Sequence, residues 1–192
     1  MTTDSTAPLM RPRYGVDAPA FPAVHAALGA ACLLTAARRR NVRTPAAAAG
    51  TFLLVTTGVY LHTTLRGKLR VWEEILDQEA HLRGDEHLLD LGCGRGAVLV
   101  ATARRLPAGR AVGVDLWSGK DQSGNRPEAT RANAAAAGVA DRIELHTADV
   151  TALPFPDASF SVVTSALVLH NIPAREDRFR ALDEALRVLR PG

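Results

Sequence analysis

Leu88-Leu-Asp-Leu-Gly-Cys-Gly-Arg-Gly96 is the stretch that decides the fold. A short apolar run ends in Asp90 and breaks into three glycines, and Ala97 to Leu106 then reads as a helix. The order is strand, glycine turn, helix. Residues without side chains let a ligand lie against the backbone, and the amides at a helix start favour negative charge. Nineteen residues past Gly96 a second apolar run, Ala111 to Val114, ends in Asp115. A carboxylate at the tip of a second strand suits two ribose hydroxyls. These features together predict a nucleoside-containing ligand at the carboxyl edge of a parallel sheet.

Two readings of the turn compete. Gly92, Gly94 and Ala97 fit the dinucleotide pattern G-x-G-x-x-G/A. Gly92, Gly94 and Gly96, with Asp90 two places earlier, fit D-x-G-x-G-x-G. The residues that follow separate the two. A helical stretch, Glu128 to Ala137, leads through Gly138 to a strand, Ile143 to Thr147. Ala148-Asp149-Val150 and Leu153-Pro-Phe-Pro-Asp-Ala-Ser-Phe160 come next, then a strand, Ser161 to Thr164, and Ser165 to His170. The last helix carries Phe179, Leu182, Leu186 and Leu189 on one face, and the sequence closes on Leu189-Arg-Pro-Gly192. In order, "LLDLGCGRG", "VGVD", "AGVADRIELHTADVTALPFPDASFSVV", "LVLHNI" and "EALRVLRPG" resemble the class I S-adenosylmethionine (SAM)-dependent methyltransferases, in their small-molecule and lipid branch. The resemblance runs from Asp85 to Gly192. It implies an α/β, Rossmann-like doubly wound parallel sheet and SAM as cofactor.

The resemblance also implies a site. Gly92, Gly94 and Gly96 allow close approach of the methionine part of SAM, whose carboxylate lies at the start of the following helix; Cys93 between them belongs to the same cofactor stretch and reads as a small packed residue. Asp90 orients the turn and attracts the ammonium group. Asp115 accepts from the ribose, Leu116 packs on adenine, Asp149 accepts from the adenine amine, Val150 contacts the ring, and Ser165 is counted among the cofactor-binding residues. Asp90 as a loop cap and Asp149 as a turn starter are the plain alternatives. His170 is the candidate base or pocket wall, against a structural His at a helix start. Two departures from the family pattern stand out: Ser161 replaces the usual acid, and Trp117 to Asn125 forms an extended polar loop. That loop either closes over the cofactor or acceptor, or is a surface insertion. Four parallel strands in about 108 residues, Asp85 to Gly192, suggest an incomplete core whose remainder lies past Gly192.

The first eighty residues differ in kind. Ala18 to Ala37 and Thr44 to Leu65 carry no charge, and each has the length, about 20 residues, that a membrane span needs. An arginine-rich turn, Arg38 to Arg43, separates them. A two-helix membrane hairpin is expected, with Gly and Ala permitting close helix contact, against a soluble Ala-rich hairpin or helices lying in the membrane surface. Four arginines in the turn balance five basic flanking residues, so charge does not set orientation; a SAM enzyme places its domain in the cytoplasm. Leu69 to Leu82 reads as an amphipathic helix presenting Leu69, Trp72, Ile75, Leu76 and Ala80, packed on the sheet and covering the cofactor, with Gly84 ending it.

The divisions expected are a tail (1–17), a hairpin (18–65), a linker helix (66–84) and the SAM domain (85–192). Two Cys far apart exclude a disulfide framework, and six scattered His give no metal spacing. A net charge of +3 with no basic aromatic face points away from nucleic acid. The functional expectation is methyl transfer to a small-molecule or lipid-like acceptor at a membrane. A SAM-binding scaffold without transfer, or an NAD(P)-dependent oxidoreductase, are the alternatives.

Overall fold

The computed structural model describes residues 11–192. Residues 1–10, most of the expected tail, lie outside the described residues.

Two long helices come first, α1 (Ala20–Arg38) and α2 (Arg43–His62). They pack closely where glycines face each other. A Cβ on Gly29 would stand 3.2 Å from the Gly50 carbonyl, and one on Gly50 would stand 2.8 Å from the Gly29 carbonyl. Outward from this crossing, Val24, Leu28, Phe52, Val55 and Val59 are all exposed. Both helices are long and apolar enough to cross a membrane. At 19 and 20 residues they measure about 28–30 Å, the thickness of a hydrocarbon core. Arg38, Arg39, Arg40 and Arg43 lie together at the turn.

A π-helical turn, Thr63–Gly67, joins α2 to α3 (Lys68–Gln78), so the second hairpin helix and the linker form one helical rod. The linker helix stops four residues earlier than the apolar pattern suggests, because His81 and Gly84 both take positive φ. Leu76 is its one fully buried residue. Helix α3 packs on the helix after the glycine turn, not over the strand tips. Arg105 pins it there, donating to Asp77 Oδ1 at 2.7 Å and pairing with Glu73 at 2.5 Å.

The sheet contains β1 (His87–Leu91), β2 (Arg110–Asp115), β3 (Ile143–Thr147) and β4 (Val162–Ser165), all parallel, in the order β3-β2-β1-β4. Helices α4 (Ala97–Ala103) and α5 (Pro127–Ala136) connect β1 to β2 and β2 to β3, a non-helical segment connects β3 to β4, and α6 (Arg175–Val188) follows β4. Side chains alternate across the strands. Leu88 and Ala111 face Leu99, Val100 and Ala134, while Leu89, Leu91, Val112 and Val114 face Phe160, Ala181 and Val188. Both faces of β1 and β2 are covered, which is why these strands read as near-continuous apolar runs. The chain reverses direction across the sheet between β1 and β4, and in such sheets the crevice at that point takes ligands.

The last helix corrects the sequence reading. Phe179, Leu182 and Leu186 are exposed, and the face turned to the sheet carries Ala181, Ala185 and Val188. Ala181 and Val188 are wholly buried in the cluster with Leu89, Leu91 and Phe160, so residue size, not hydrophobicity, decided the buried face. Arg187 locks the helix by donating to the Leu153 and Phe155 carbonyls and to Asp157.

Candidate cofactor site

The glycine turn is built as its residues require. Gly92, Gly94 and Gly96 have φ of 63°, 51° and 82°, a region where a side chain is strained. Space is short as well as conformation. A Cβ on Gly94 would meet Gln122 Oε1 at 2.6 Å, and one on Gly92 would collide with the Val168 side chain. Beneath the turn, Gly113 of β2 makes room for Cys93, whose Sγ would lie 2.7 Å from an added Cβ. Cys93 is therefore a packed residue; burial pushes its thiol well above the usual range. The helix that follows is short, seven residues, and Gly96 caps it in the left-handed conformation. Just before the cap, the Arg95 amide donates to Gln122 Oε1 at 2.7 Å, which ties the glycine turn to the 117–125 loop.

Asp90 ends the apolar run in the middle of the sheet, where its neighbours in register are Gly113 and Thr164. It is 2% exposed and accepts from Thr164 Oγ1 at 2.8 Å. Burial, reinforced by the nearby charge of Asp115, pushes its carboxyl up to about 7 against the pull of the Thr164 hydrogen bond. A cation brought to this edge would favour the ionised form.

Asp115 closes β2. Its Oδ2 accepts from Gly94 N at 2.8 Å, and its Oδ1 accepts from Trp117 N at 2.5 Å and Asn125 Nδ2 at 3.0 Å. One carboxylate therefore ties the glycine turn to both ends of the 117–125 loop. Trp117 holds φ of 60°, uncommon for so large a residue, and its indole donates to Thr147 Oγ1 at 2.8 Å. The loop is not a loose surface insertion, because it is hydrogen-bonded to the glycine turn, β2 and β3.

The remaining predicted residues are spread along the same edge. Leu116 is exposed beside Asp115, and Ser165 is exposed at the end of β4 opposite Leu91. Asp149 is exposed, and its Oδ1 accepts from Thr151 N and Oγ1, both at 2.8 Å, so it does start a turn. Val150 is buried below it. His170 is exposed on the short 3-10 turn Leu169–Asn171.

Several contributors had no motif to announce them. Thr130 of α5 donates to the Gly94 carbonyl at 2.7 Å, and Asn133 donates to the Arg95 carbonyl at 2.9 Å. Asp17 accepts from Gln122 Nε2 at 3.0 Å and also from Lys68 and Thr64. Only the unusual polarity of Thr130 and Asn133 within an Ala-rich helix could have drawn notice. Among the described residues no group of three or more His, Cys, Asp or Glu could hold a metal ion.

The arrangement fits an adenosyl cofactor. A bare backbone turn, an acid at each of two neighbouring strand tips and a further acid after β3 line one edge, and Asp115 Oδ2 keeps a lone pair free.

Comparison with known proteins agrees. The chain is 33% identical over 127 residues to a demethylmenaquinone methyltransferase of Symbiobacterium thermophilum, covering 66% of this chain and 47% of that protein. It is 39% identical over 113 residues to 27-O-demethylrifamycin SV methyltransferase of Amycolatopsis mediterranei, covering 58% and 37% respectively. It thus spans about half the length, or less, of these relatives. The crystal structure of the [4+2]-cyclase SpnF superposes with a TM-score of 0.56 at 26% identity, over 67% of this chain and 43% of that one. The model of a methyltransferase domain matches residues 89–192, more than half of the chain. The chain therefore belongs to the class I SAM-dependent methyltransferases.

Proposed function

We propose that this chain is the cofactor-holding part of a membrane-associated methyltransferase whose acceptor is dissolved in the bilayer, a quinone-like or other lipid-like molecule. The observation that carries the reading is the direct attachment of an exposed apolar hairpin to the cofactor edge through Asp17. In this reading residues 18–65 enter the membrane and residues 85–192 face the cytoplasm, where SAM is made. The linker (66–84) lies between them. Relatives named for demethylmenaquinone support an acceptor of this kind.

SAM supplies a methyl group activated by a positive sulfur. The task left to the chain is to bind, orient and exclude water, which can account for about 7–11 kcal/mol of a barrier. Gly92, Gly94 and Gly96 admit the methionine part of the cofactor, and Asp90 offers charge to its ammonium. Asp115 accepts from the ribose, Leu116 and Val150 flank the adenine, and Asp149 takes its amino group. Ser165, exposed at the end of β4, and His170, exposed beyond it, border the acceptor side. His170 is the one candidate base there, needed only for an acceptor protonated at working pH.

The test is transfer of labelled methyl from SAM to a membrane lipid extract by the chain in bilayer discs. Labelled lipid supports the reading. Binding of SAM with no labelled product indicates a scaffold instead, and a melting temperature raised by NAD but not SAM indicates an oxidoreductase.

A further inference from the structure

We propose that Asn125 is a second ribose-recognising residue, which together with Asp115 makes the edge of β2 specific for a vicinal diol. The inference rests on the cofactor reading above and extends it to a residue outside the glycine-turn pattern.

A carboxylate offers about four lone-pair positions. Asp115 Oδ1 uses two, on Trp117 N and Asn125 Nδ2, and Oδ2 uses one, on Gly94 N. One position is left. A ribose brings two hydroxyl donors, so Asp115 in this setting serves only one of them. The second acceptor stands alongside. Asn125 Oδ1 is buried and has no hydrogen-bond partner among the described residues. The amide orientation is fixed chemically, because Nδ2 faces Asp115 Oδ1 at 3.0 Å and the Ser118 carbonyl at 3.4 Å, both of which only accept. Oδ1 therefore has to be the outstanding acceptor. An unsatisfied buried carbonyl costs about 1–3 kcal/mol and needs a reason. A hydroxyl donor arriving at Asp115 provides one.

The loop geometry serves the same end. Ser123 N donates to the Val16 carbonyl and Val16 N to Ser123 Oγ, which hold the loop leading into Asn125 against the segment before α1. Arg95 clamps it from the other side by donating to the Ser123 carbonyl at 3.0 Å. Asn125 is thus presented to Asp115 by a fixed support and not by a free loop.

The experiment is calorimetry of the full chain in bilayer discs with S-adenosylhomocysteine and its 2′-deoxy and 3′-deoxy analogues. The unmodified chain should bind the parent compound about tenfold or more tightly than either analogue. In Asn125→Ala one of the two analogues should lose that disadvantage while the other keeps it. If Asn125 merely positioned the loop, all three ligands would weaken together and both ratios would persist, which overturns the proposal. Should Asn125→Ala fail to fold, amide hydrogen exchange at Ser123 to Arg126 of the unmodified chain decides. Slowing by the parent compound but not by one deoxy analogue supports the assignment, and equal slowing by all three overturns it. No binding of the parent compound to the unmodified chain refutes the cofactor reading itself.

Discussion

The hairpin and the sheet domain solve the problem of apolar surface in opposite ways. In the sheet, Leu88, Leu89, Leu99 and Val100 are wholly buried within the protein. In the hairpin, Phe52 is 67% and Val59 62% exposed, and the internal contact is made where Gly29 and Gly50 admit Leu54 and Leu33 of the facing helix. The sheet supplies its own apolar surroundings. The hairpin leaves them to its environment, which in lipid is no loss, since helices there associate by close packing and not by exclusion of water. The same protein should therefore respond to equivalent truncations in two different currencies.

The largest effect separates the two. Leu99→Ala should lower the free energy of unfolding by about 2–5 kcal/mol, read from denaturant titration followed by near-ultraviolet dichroism of the sheet domain. Phe52→Ala should leave that transition within about 0.5 kcal/mol. It should instead weaken retention on phospholipid vesicles, since about 1.5–3 kcal/mol of side-chain burial is removed. A sheet transition that moved as much with Phe52→Ala as with Leu99→Ala would mean that the hairpin is packed protein core.

The next effect lies within the sheet and depends on pH. Asp90 titrates at about 7 when folded, against 3.8 ordinarily, so the folded chain holds its proton more tightly than the unfolded one. Stability contributed by the neutral group is complete below about pH 4 and drains away as pH rises to about 7. Asp90→Asn should remove this slope and leave the variant a few kcal/mol ahead at pH 8. Cofactor binding should run the other way. A cation at the edge favours ionised Asp90, so affinity for SAM should climb between about pH 5 and 7 and binding should release a proton. Calorimetry in buffers of different ionisation enthalpy measures that proton directly. A pH-independent affinity would show that Asp90 does not sense the ligand.

A smaller effect belongs to the hairpin. Gly50→Leu forces a side chain between helices whose backbones nearly touch, and should cost about 1–3 kcal/mol of hairpin packing. Spin labels on the two helices should move apart while the sheet transition stays put.

Much of the sheet was legible because β1 and β2 are short, buried on both faces and ended by Gly92 and Asp115. Strand β3 falls at Ile143–Thr147 as the pattern predicts, and β2 differs only by including Arg110. The glycine turn and Asp115 were legible for a related reason, since positive φ and a strand-tip acid each restrict residue choice. The face of α6 was misread because Ala181 and Ala185 carry little hydrophobic signal yet win the close position. The capture of the Arg95 amide by Gln122 was invisible, as were the parts played by Asp17, Thr130 and Asn133. These are single polar contacts between residues far apart in sequence, and no periodicity records them.

Asp17 is where the comparison between the two regions is most exposed to failure. Its carboxylate accepts from Lys68 Nζ at 2.6 Å, Thr64 Oγ1 at 2.6 Å and Gln122 Nε2 at 3.0 Å, and its carbonyl accepts from Tyr60 at 2.7 Å. Thr64 lies in the π-helical turn, a form often found at functional hinges, while Gln122 caps the glycine turn. The ion pair is about four-fifths buried on each side, so it is not a screened surface contact of negligible worth. If hairpin and sheet were energetically separate, Asp17→Ala would disturb only the seating of α2 and leave cofactor affinity alone. Because the same carboxylate holds Gln122, affinity should instead fall about three- to tenfold, near the value of one or two partly buried hydrogen bonds. Calorimetry of Asp17→Ala beside Gln122→Ala distinguishes the cases. Equal losses that do not add in the double variant mean that the hairpin acts on the cofactor edge through Gln122, whereas additive losses mean two independent supports.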